Sequence, residues 1–456
     1  MKDPAAPDAS EKDPVLPAPR KLGAVPWTGP GAPQHGRTRL ASVVLVAAIV
    51  AVALNQRPAV VAVAPVLGEL RADTGLSSAL AGLLTTLPVL CFGAFAPLAP
   101  RLARRIGLET AVGLSLGLLA AGIALRLLTP VALLFAGSLL AGAAIALANV
   151  LLPAYVKREF RRPGAVMGLY SASLNIGAAS GAALTIPLAG ALGVDWRWAL
   201  GTWLVLALAA LALWLPVAGT GHDRRTNAPL PEGQGSWSLL RQPLAVQVTA
   251  YIGLQSVQFY SVAAWLPTLL ADAGVPASEG GLLLGLANLV GAAGALLAPA
   301  QAGRMRTQRP LVLAVALAYA VGLGGLLVDP GGATLVWVAA FGLAQGSGFA
   351  LALTLIVLRS PTPLVAARLG GVAQCLGYLL AAAGPLVLGA MHDATDGWAW
   401  PLVLLLTALV PMTWAGWGAA RPAVLDVVSP PETGAESPGG ARTPAASAGP
   451  AGPAGR

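Results

Sequence analysis

Charge is scarce in this 456-residue chain. Only 10% of its residues are Asp, Glu, Lys or Arg, against 56% hydrophobic, and mean hydropathy is +0.73. A soluble domain carries about 25% charged residues, and one so poor in charge lacks the polar surface that keeps it dispersed. Water is thereby excluded as the solvent for most of the chain, and lipid takes its place. Cysteine is nearly absent too: Cys91 and Cys375 both sit in apolar runs, which argues against a disulfide framework and a thiolate metal site. The three histidines, His35, His222 and His392, fall in expected loops or tails, so no intramembrane imidazole is available to shuttle protons. Asp, Glu, Lys and His are missing from the deep part of every expected span, which removes the usual part of an intramembrane proton relay. Facilitated uptake, exchange and co-movement of a protonated solute all stay open. There is no Walker loop, metal-ligand cluster or nucleophile–base pair, so ATP-driven pumping and hydrolysis find no support. The chain reads as a non-enzyme without a cofactor.

What the chain does have is apolar runs of bilayer length. Twelve recur, near 40–67, 79–100, 110–128, 131–155, 164–192, 198–217, 244–270, 279–301, 310–328, 334–358, 366–390 and 398–419. Each approaches the roughly 20 residues that cross about 30 Å of hydrocarbon. Each must be a helix, because lipid offers backbone groups no partner and the runs are too long for barrel strands. Residues 1–39 hold eight prolines and no apolar run, which suits a disordered cytoplasmic arm rather than a signal peptide. Residues 420–456, rich in Pro, Gly, Ala and Ser, read as a disordered tail. The polar stretch 218–243 reads as a linker between two six-helix halves, 40–217 and 244–419. Net charge is +9. Alternate loops hold fifteen Lys and Arg, while the other set holds only Arg71, Arg126 and Arg197. This split places both termini in the cytoplasm and explains the basic balance without nucleic acid. Basic clusters follow span two (Arg101, Arg104, Arg105) and span eight (Arg304, Arg306, Arg309), and glycines 13 apart recur in spans five and eleven (Gly168/Gly181, Gly371/Gly384). Both echoes favour two related halves.

A charge at mid-membrane costs on the order of 2.5–3.5 kcal/mol on insertion scales and usually serves a function. One stands out here: Arg57, in Asn55-Gln56-Arg57-Pro58 near the centre of span one. With no obvious counter-ion, its planar donors suit a carboxylate-like anion; the other role open to it is a structural knot on backbone carbonyls and neighbouring amides. Pro58 frees a carbonyl one turn earlier, so a bend is expected there. Span seven places Gln247, Tyr251, Gln255, Gln258 and Trp265 on one helical face, either as a cavity wall or as interhelical hydrogen bonds. Asn149, Asn175, Asn288, Gln345 and Gln374 are further mid-span amides, each more ordinary as packing. Small-xxx-small pairs such as Gly177/Gly181 and Gly342/Gly346 let helices approach closely.

At these residues the chain resembles the cyanate and 2-nitroimidazole transporter group of the major facilitator superfamily. That group shows Asn-Leu-Arg-Pro in its first helix, here Asn55-Gln56-Arg57-Pro58. The likeness extends to Ala148-Asn149-Val150-Leu151-Leu152-Pro153 with Lys157-Arg158-Glu159-Phe160, to Gly168-Leu169-Tyr170, and to Gly253-Leu254-Gln255-Ser256 through Tyr260 with Ala264-Trp265-Leu266-Pro267. The superfamily's loop after span two is altered to Pro100-Arg101-Leu102-Ala103-Arg104-Arg105-Ile106-Gly107 and lacks its Asp. The resemblance implies an all-α integral membrane fold of twelve helices in two pseudo-symmetric halves. The expected function is secondary transport of a small anionic or polar heteroaromatic solute by alternating access. Arg57 is then the anion contact, Asn55, Asn149, Gln255, Gln258 and Tyr260 orient the solute, and Trp265 stacks on it. Asn175, Gln345 and Gln374 are additional candidates. A multidrug exporter of the same fold is the alternative, although a lone buried Arg counts against cationic cargo. A non-transporting sensor or membrane enzyme is more remote. The expected partners are a small-molecule substrate and the lipid bilayer, with no nucleic acid, for a monomer in a bacterial plasma membrane.

Overall fold

The computed structural model describes residues 39–63, 65–76, 78–219 and 236–426. Nearly all of the expected arm at 1–39, most of the linker at 218–243 and the tail after 426 lie outside them. Twelve long helices form where twelve apolar runs are expected. They are α1 (Arg39–Gln56), α2 (Ser78–Phe95, continuing through a 3-10 turn into Ala99–Ile106), α3 (Leu108–Leu125), α4 (Val131–Glu159), α5 (Pro163–Leu192) and α6 (Trp196–Gly219). The second set is α7 (Pro243–Asp272), α8 (Ala277–Ala302), α9 (Arg309–Val328), α10 (Thr334–Arg359), α11 (Pro363–Thr395) and α12 (Ala399–Ala419). Eleven are long and apolar enough to cross a membrane. The other, α7, spans thirty residues and carries the glutamine stripe that lowers its hydropathy.

The two sets are built alike. Crossings of α3 with α4 and of α9 with α10 are both so close that only glycine fits. A Cβ on Gly122 would lie 2.8 Å from the Gly137 carbonyl, and one on Gly322 would lie 2.7 Å from the Phe341 nitrogen. Where the basic loops cluster, here called the basic end, each set closes with an arginine at the end of its fourth helix. Arg158 pairs with Glu109 at the start of α3 and donates through Nε to Glu159 at 2.9 Å, stacked over the Tyr155 ring. Arg359 bonds Gln308, just before α9, and donates to the Ala419 carbonyl at 2.8 Å. Residues 420–426, placed in the tail by composition, pack back here: Leu425 N donates to Arg359 O at 2.8 Å, and Asp426 N to Gln242 Oε1 at 3.0 Å.

The expected break in the first helix is present and shortens the run taken as 40–67. Pro58 supplies no N–H to the Leu54 carbonyl. Helix α1 stops at Gln56, one turn resumes over Pro58–Val61, and a separate helix covers Leu67–Thr74. The freed Leu54 carbonyl faces Gly177 of α5 so closely that a Cβ would collide with it, and a Cβ on Gly181 would lie 2.8 Å from Pro58 Cα. The small-xxx-small pair is thus the seat on which the interrupted helix rests.

Arg126, expected in an external loop, is instead 2% exposed at the C-cap of α3. Its Nη1 donates to the Ala59 carbonyl at 2.5 Å and caps the resumed turn, while Nε and Nη2 have no partner. A glycine makes this possible, because a Cβ on Gly137 would lie 3.0 Å from Arg126 Cγ. The interior therefore holds a second guanidinium besides Arg57.

Contacts between the two halves lie at the level of Arg57 or on its basic side. A Cβ on Gly168 would stand 2.5 Å from the Leu296 carbonyl, and one on Gly371 would stand 3.0 Å from the Ala96 carbonyl. Here the paired glycines of spans five and eleven find equivalent uses. Gly168 and Gly371 meet the opposite half, while Gly181 and Gly384 meet the first helix of their own, at Pro58 and at Ser261. Replacing Gly177 by Ala is expected to lower the melting temperature of the purified protein, on the order of 1–3 kcal/mol for an overpacked contact. The matched Gly117→Ala change, where a Cβ meets nothing within 4 Å, should leave it level or slightly raised. Equal losses from both would remove the seating role given to Gly177.

Candidate functional site

At the level of the helix break lies a cavity of about 190 Å³, walled by the turn after α1 and by α5, α7, α8 and α10. Arg57 enters it from the break, where its backbone (φ −92°, ψ −37°) stands between the two helical pieces. Its Nη1 donates to the Tyr260 hydroxyl at 3.5 Å, and its guanidinium carbon lies 5.6 Å from the centre of the Phe349 ring. Tyr378 and Tyr170 are also close enough to act on its charge. No carboxylate among the described residues pairs with it. A cation in that position is held by weak, polarisable neighbours, and one oxyanion would satisfy it far better than they do.

Of the residues singled out in the sequence, the cavity gathers Arg57, Tyr260, Gln255, Asn175, Asn288 and Gln345. Gln255 Nε2 reaches the Tyr319 hydroxyl at 3.4 Å and the Gln345 carbonyl at 3.2 Å, while its Oε1 has no partner. Asn175 Nδ2 is bonded to the Ser171 carbonyl one turn back, at 3.0 Å, with its side chain still on the cavity wall.

The other candidates lie outside the lining and join helices. Asn55 Nδ2 donates to Ala51 O (3.1 Å) and across to Leu206 O of α6 (2.8 Å). Gln258 Nε2 ties α7 to α12 through Leu405 O at 2.8 Å. Asn149 and Gln374 form a buried link between halves: Gln374 Nε2 donates to Asn149 O at 3.2 Å, and Tyr170 donates to Asn149 Oδ1 at 3.3 Å. Trp265 donates to the Pro385 carbonyl at 2.8 Å, packs on Trp398 with 5.5 Å between rings, and covers Gly389.

Beside Phe259 and Tyr260, the cavity's aromatic wall includes Phe349, which the sequence does not announce. A phenylalanine in an apolar helix carries no signal of its own. Gln345 lies four positions earlier and so shares its face, which was the available clue. Tyr260 is steadied by edge contacts with Phe259 at 4.9 Å and Tyr378 at 6.2 Å. The result is a small chamber with apolar walls at Val60, Val61, Leu174, Ala178 and Ala263, into which the Arg57 guanidinium and a few amides are set.

Comparisons with known proteins agree with this geometry. The chain is 40% identical over 392 residues to an uncharacterized transporter of Bacillus subtilis (strain 168), covering 85% of this chain and 96% of that one. It is 40% identical over 363 residues to the 2-nitroimidazole transporter of Escherichia coli (strain K12), covering 79% and 91%. It is 33% identical over 355 residues to the cyanate transport protein CynX of the same organism, covering 77% and 90%. The solved structure of the proton:xylose symporter XylE shares the fold, with a TM-score of 0.68 at 15% identity over 85% of this chain and 97% of that one. Residues 47–385 match the family described as the Major Facilitator Superfamily. Twelve long helices in two like halves, a cavity at their midpoint and relatives that are transporters have one reading: this chain is a multi-pass membrane transporter of the Major Facilitator Superfamily.

Proposed function

We propose that this chain is a secondary transporter of small planar anions or polar heteroaromatic solutes, moved by alternating access between its two halves. The single observation that carries the reading is Arg57, a guanidinium at the middle of the fold that reaches the cavity with no carboxylate to neutralise it. An arriving anion supplies the missing charge, Phe349 offers it a ring face, and Gln255, Asn175 and Gln345 orient its polar edge. The relatives that carry 2-nitroimidazole and cyanate in their names support the same class of cargo. Both are small; 2-nitroimidazole is a planar ring with polar atoms along its edge, and cyanate is a linear anion with polar atoms at its two ends.

The fifteen-to-three division of basic residues supports an orientation with the basic end and both termini in the cytoplasm of a bacterial plasma membrane. With the halves closed at that end, the conformation described here is the outward-facing one. Asn55, Asn149, Gln258, Trp265 and Gln374 act in this reading by fixing the helices around the cavity and by joining the halves, rather than by touching the solute.

The test is thermal stabilisation of the purified full chain by cyanate, benzoate, 2-nitroimidazole and a lipophilic cation, since specific binding raises the melting temperature by mass action. At least one anion or nitroimidazole should stabilise the parent. Arg57→Gln should weaken that binding roughly 10- to 150-fold, the worth of a charge-assisted hydrogen bond of about 1.5–3 kcal/mol. Stabilisation by the cation alone, or binding indifferent to Arg57, would sink the reading and favour a drug exporter. Phe349→Ala separates the two kinds of cargo. It should weaken an aromatic ligand by about 0.5–1.5 kcal/mol and leave cyanate, which has no ring, nearly unaffected; equal losses for both would deny Phe349 its role as a ring partner.

A further inference from the structure

The seam that closes the basic end is built differently on its two sides. Where α5 meets α8, the contact is backbone on backbone: a Cβ on Gly164 would lie 2.5 Å from the Pro299 carbonyl and 3.1 Å from Gly303 Cα. Where α11 meets the α2 extension, the glycine contact repeats, with a Cβ on Gly371 3.0 Å from the Ala96 carbonyl and 3.4 Å from Pro100 Cγ. One turn nearer the basic end on each helix stands an arginine. Arg368 lies three residues before Gly371 and Arg104 four after Pro100, so both project from the packed faces toward the same end.

Arg368 is 7% exposed, and no hydrogen bond or ion pair to it occurs among the described residues. The charge that acts on it is that of Arg104, from the opposite half, which is exposed and also positive. The acids nearest in the sequence to this end, Glu109 and Glu159, are both engaged by Arg158. Arg101, bonded to the Pro97 carbonyl at 3.3 Å, and Arg105 add positive field on the same short helix. Two like charges brought together at a partly desolvated seam oppose its closure. An oxyanion between them reverses the sign, since each guanidinium presents planar paired donors to phosphate oxygens.

We propose that the closed basic-end seam holds a phosphate-type oxyanion between Arg104 and Arg368, and that this anion stabilises the closed arrangement of the two halves. The site is separate from the Arg57 cavity and stands whether or not the cargo assignment does. The phosphate has two sources, an anionic lipid headgroup, which basic residues at a membrane surface attract, or a free ion.

The experiment measures the melting temperature of the full chain in three settings at matched ionic strength. These are phosphatidylcholine nanodiscs in chloride, the same nanodiscs in inorganic phosphate, and nanodiscs containing phosphatidylglycerol in chloride. A rise in the second setting identifies a free oxyanion, and a rise confined to the third identifies a lipid headgroup. Arg104→Gln, a change at an exposed position, should abolish the rise, as should Arg368→Gln, while Arg368→Lys should retain part of it. In phosphatidylcholine and chloride, Arg104→Gln should melt no lower than the parent, because the lipid's phosphate is already neutralised by its own choline and no net anion offsets the repulsion that the substitution removes. No rise in either anionic setting, or an equal rise in the Arg104→Gln protein, would overturn the proposal. Arg57→Gln should keep the whole rise, so that failure of the cargo assignment and failure of this site are told apart.

Discussion

An unneutralised guanidinium at the middle of a membrane protein is the constraint from which the rest of this structure follows. Arg57 cannot face lipid, and no carboxylate among the described residues pairs with it, so the fold surrounds it with polarisable neighbours, Tyr260 and Phe349. The helix that carries it is interrupted at that residue, which turns the side chain out of the regular lattice of helix packing. Pro58 makes the interruption by withholding one hydrogen bond, and Gly177 and Gly181 make it tolerable by letting the loosened backbone settle against α5. Arg126 closes the construction from the far side through its bond to the Ala59 carbonyl. The free cation, the break, the glycine seat and the capping arginine form one connected arrangement.

The same physics organises the contacts between halves. Lipid supplies no hydrophobic drive to hold the helices of the two halves together, so their contact rests on close packing and on hydrogen bonds. The seam sets glycine against backbone carbonyl at Gly168 and Gly371, beside the larger contact of Phe92 with Tyr378. Polar ties across the seam are few and single, such as Gln374 to Asn149. Within each half the ties are stronger and lie away from the seam, in the Arg158–Glu109–Glu159 cluster and the Arg359–Gln308 pair.

Much of this was legible before any coordinates. The scarcity of charge names the solvent, run length counts the helices, and Pro58 beside Arg57 locates the break. Where sequence reasoning stopped is equally instructive. Arg126 looks like an external loop residue because it follows an apolar run; only the absence of a Cβ at Gly137, a residue on another helix, opens the space that buries it. Asn55, Gln258 and Trp265 resemble cavity residues because their depth and polarity fit. Their donors are instead taken by the Leu206, Leu405 and Pro385 carbonyls of neighbouring helices. Phe349 was invisible for the opposite reason, being apolar in an apolar helix.

The sequence by itself determined the bilayer as solvent, the number and order of the spans, the discontinuity in the first of them, and the cation at that discontinuity. These depend on composition, length and local backbone chemistry, all of which act along the chain. Only the tertiary structure decided which amides meet the cavity and which join helices, which arginine is buried at a helix end, and which two arginines confront each other across the basic-end seam. A periodicity of 3.6 tells which residues share a face. What that face meets depends on how closely helices approach and at what angle, and those are set by glycines and side chains far away in the sequence.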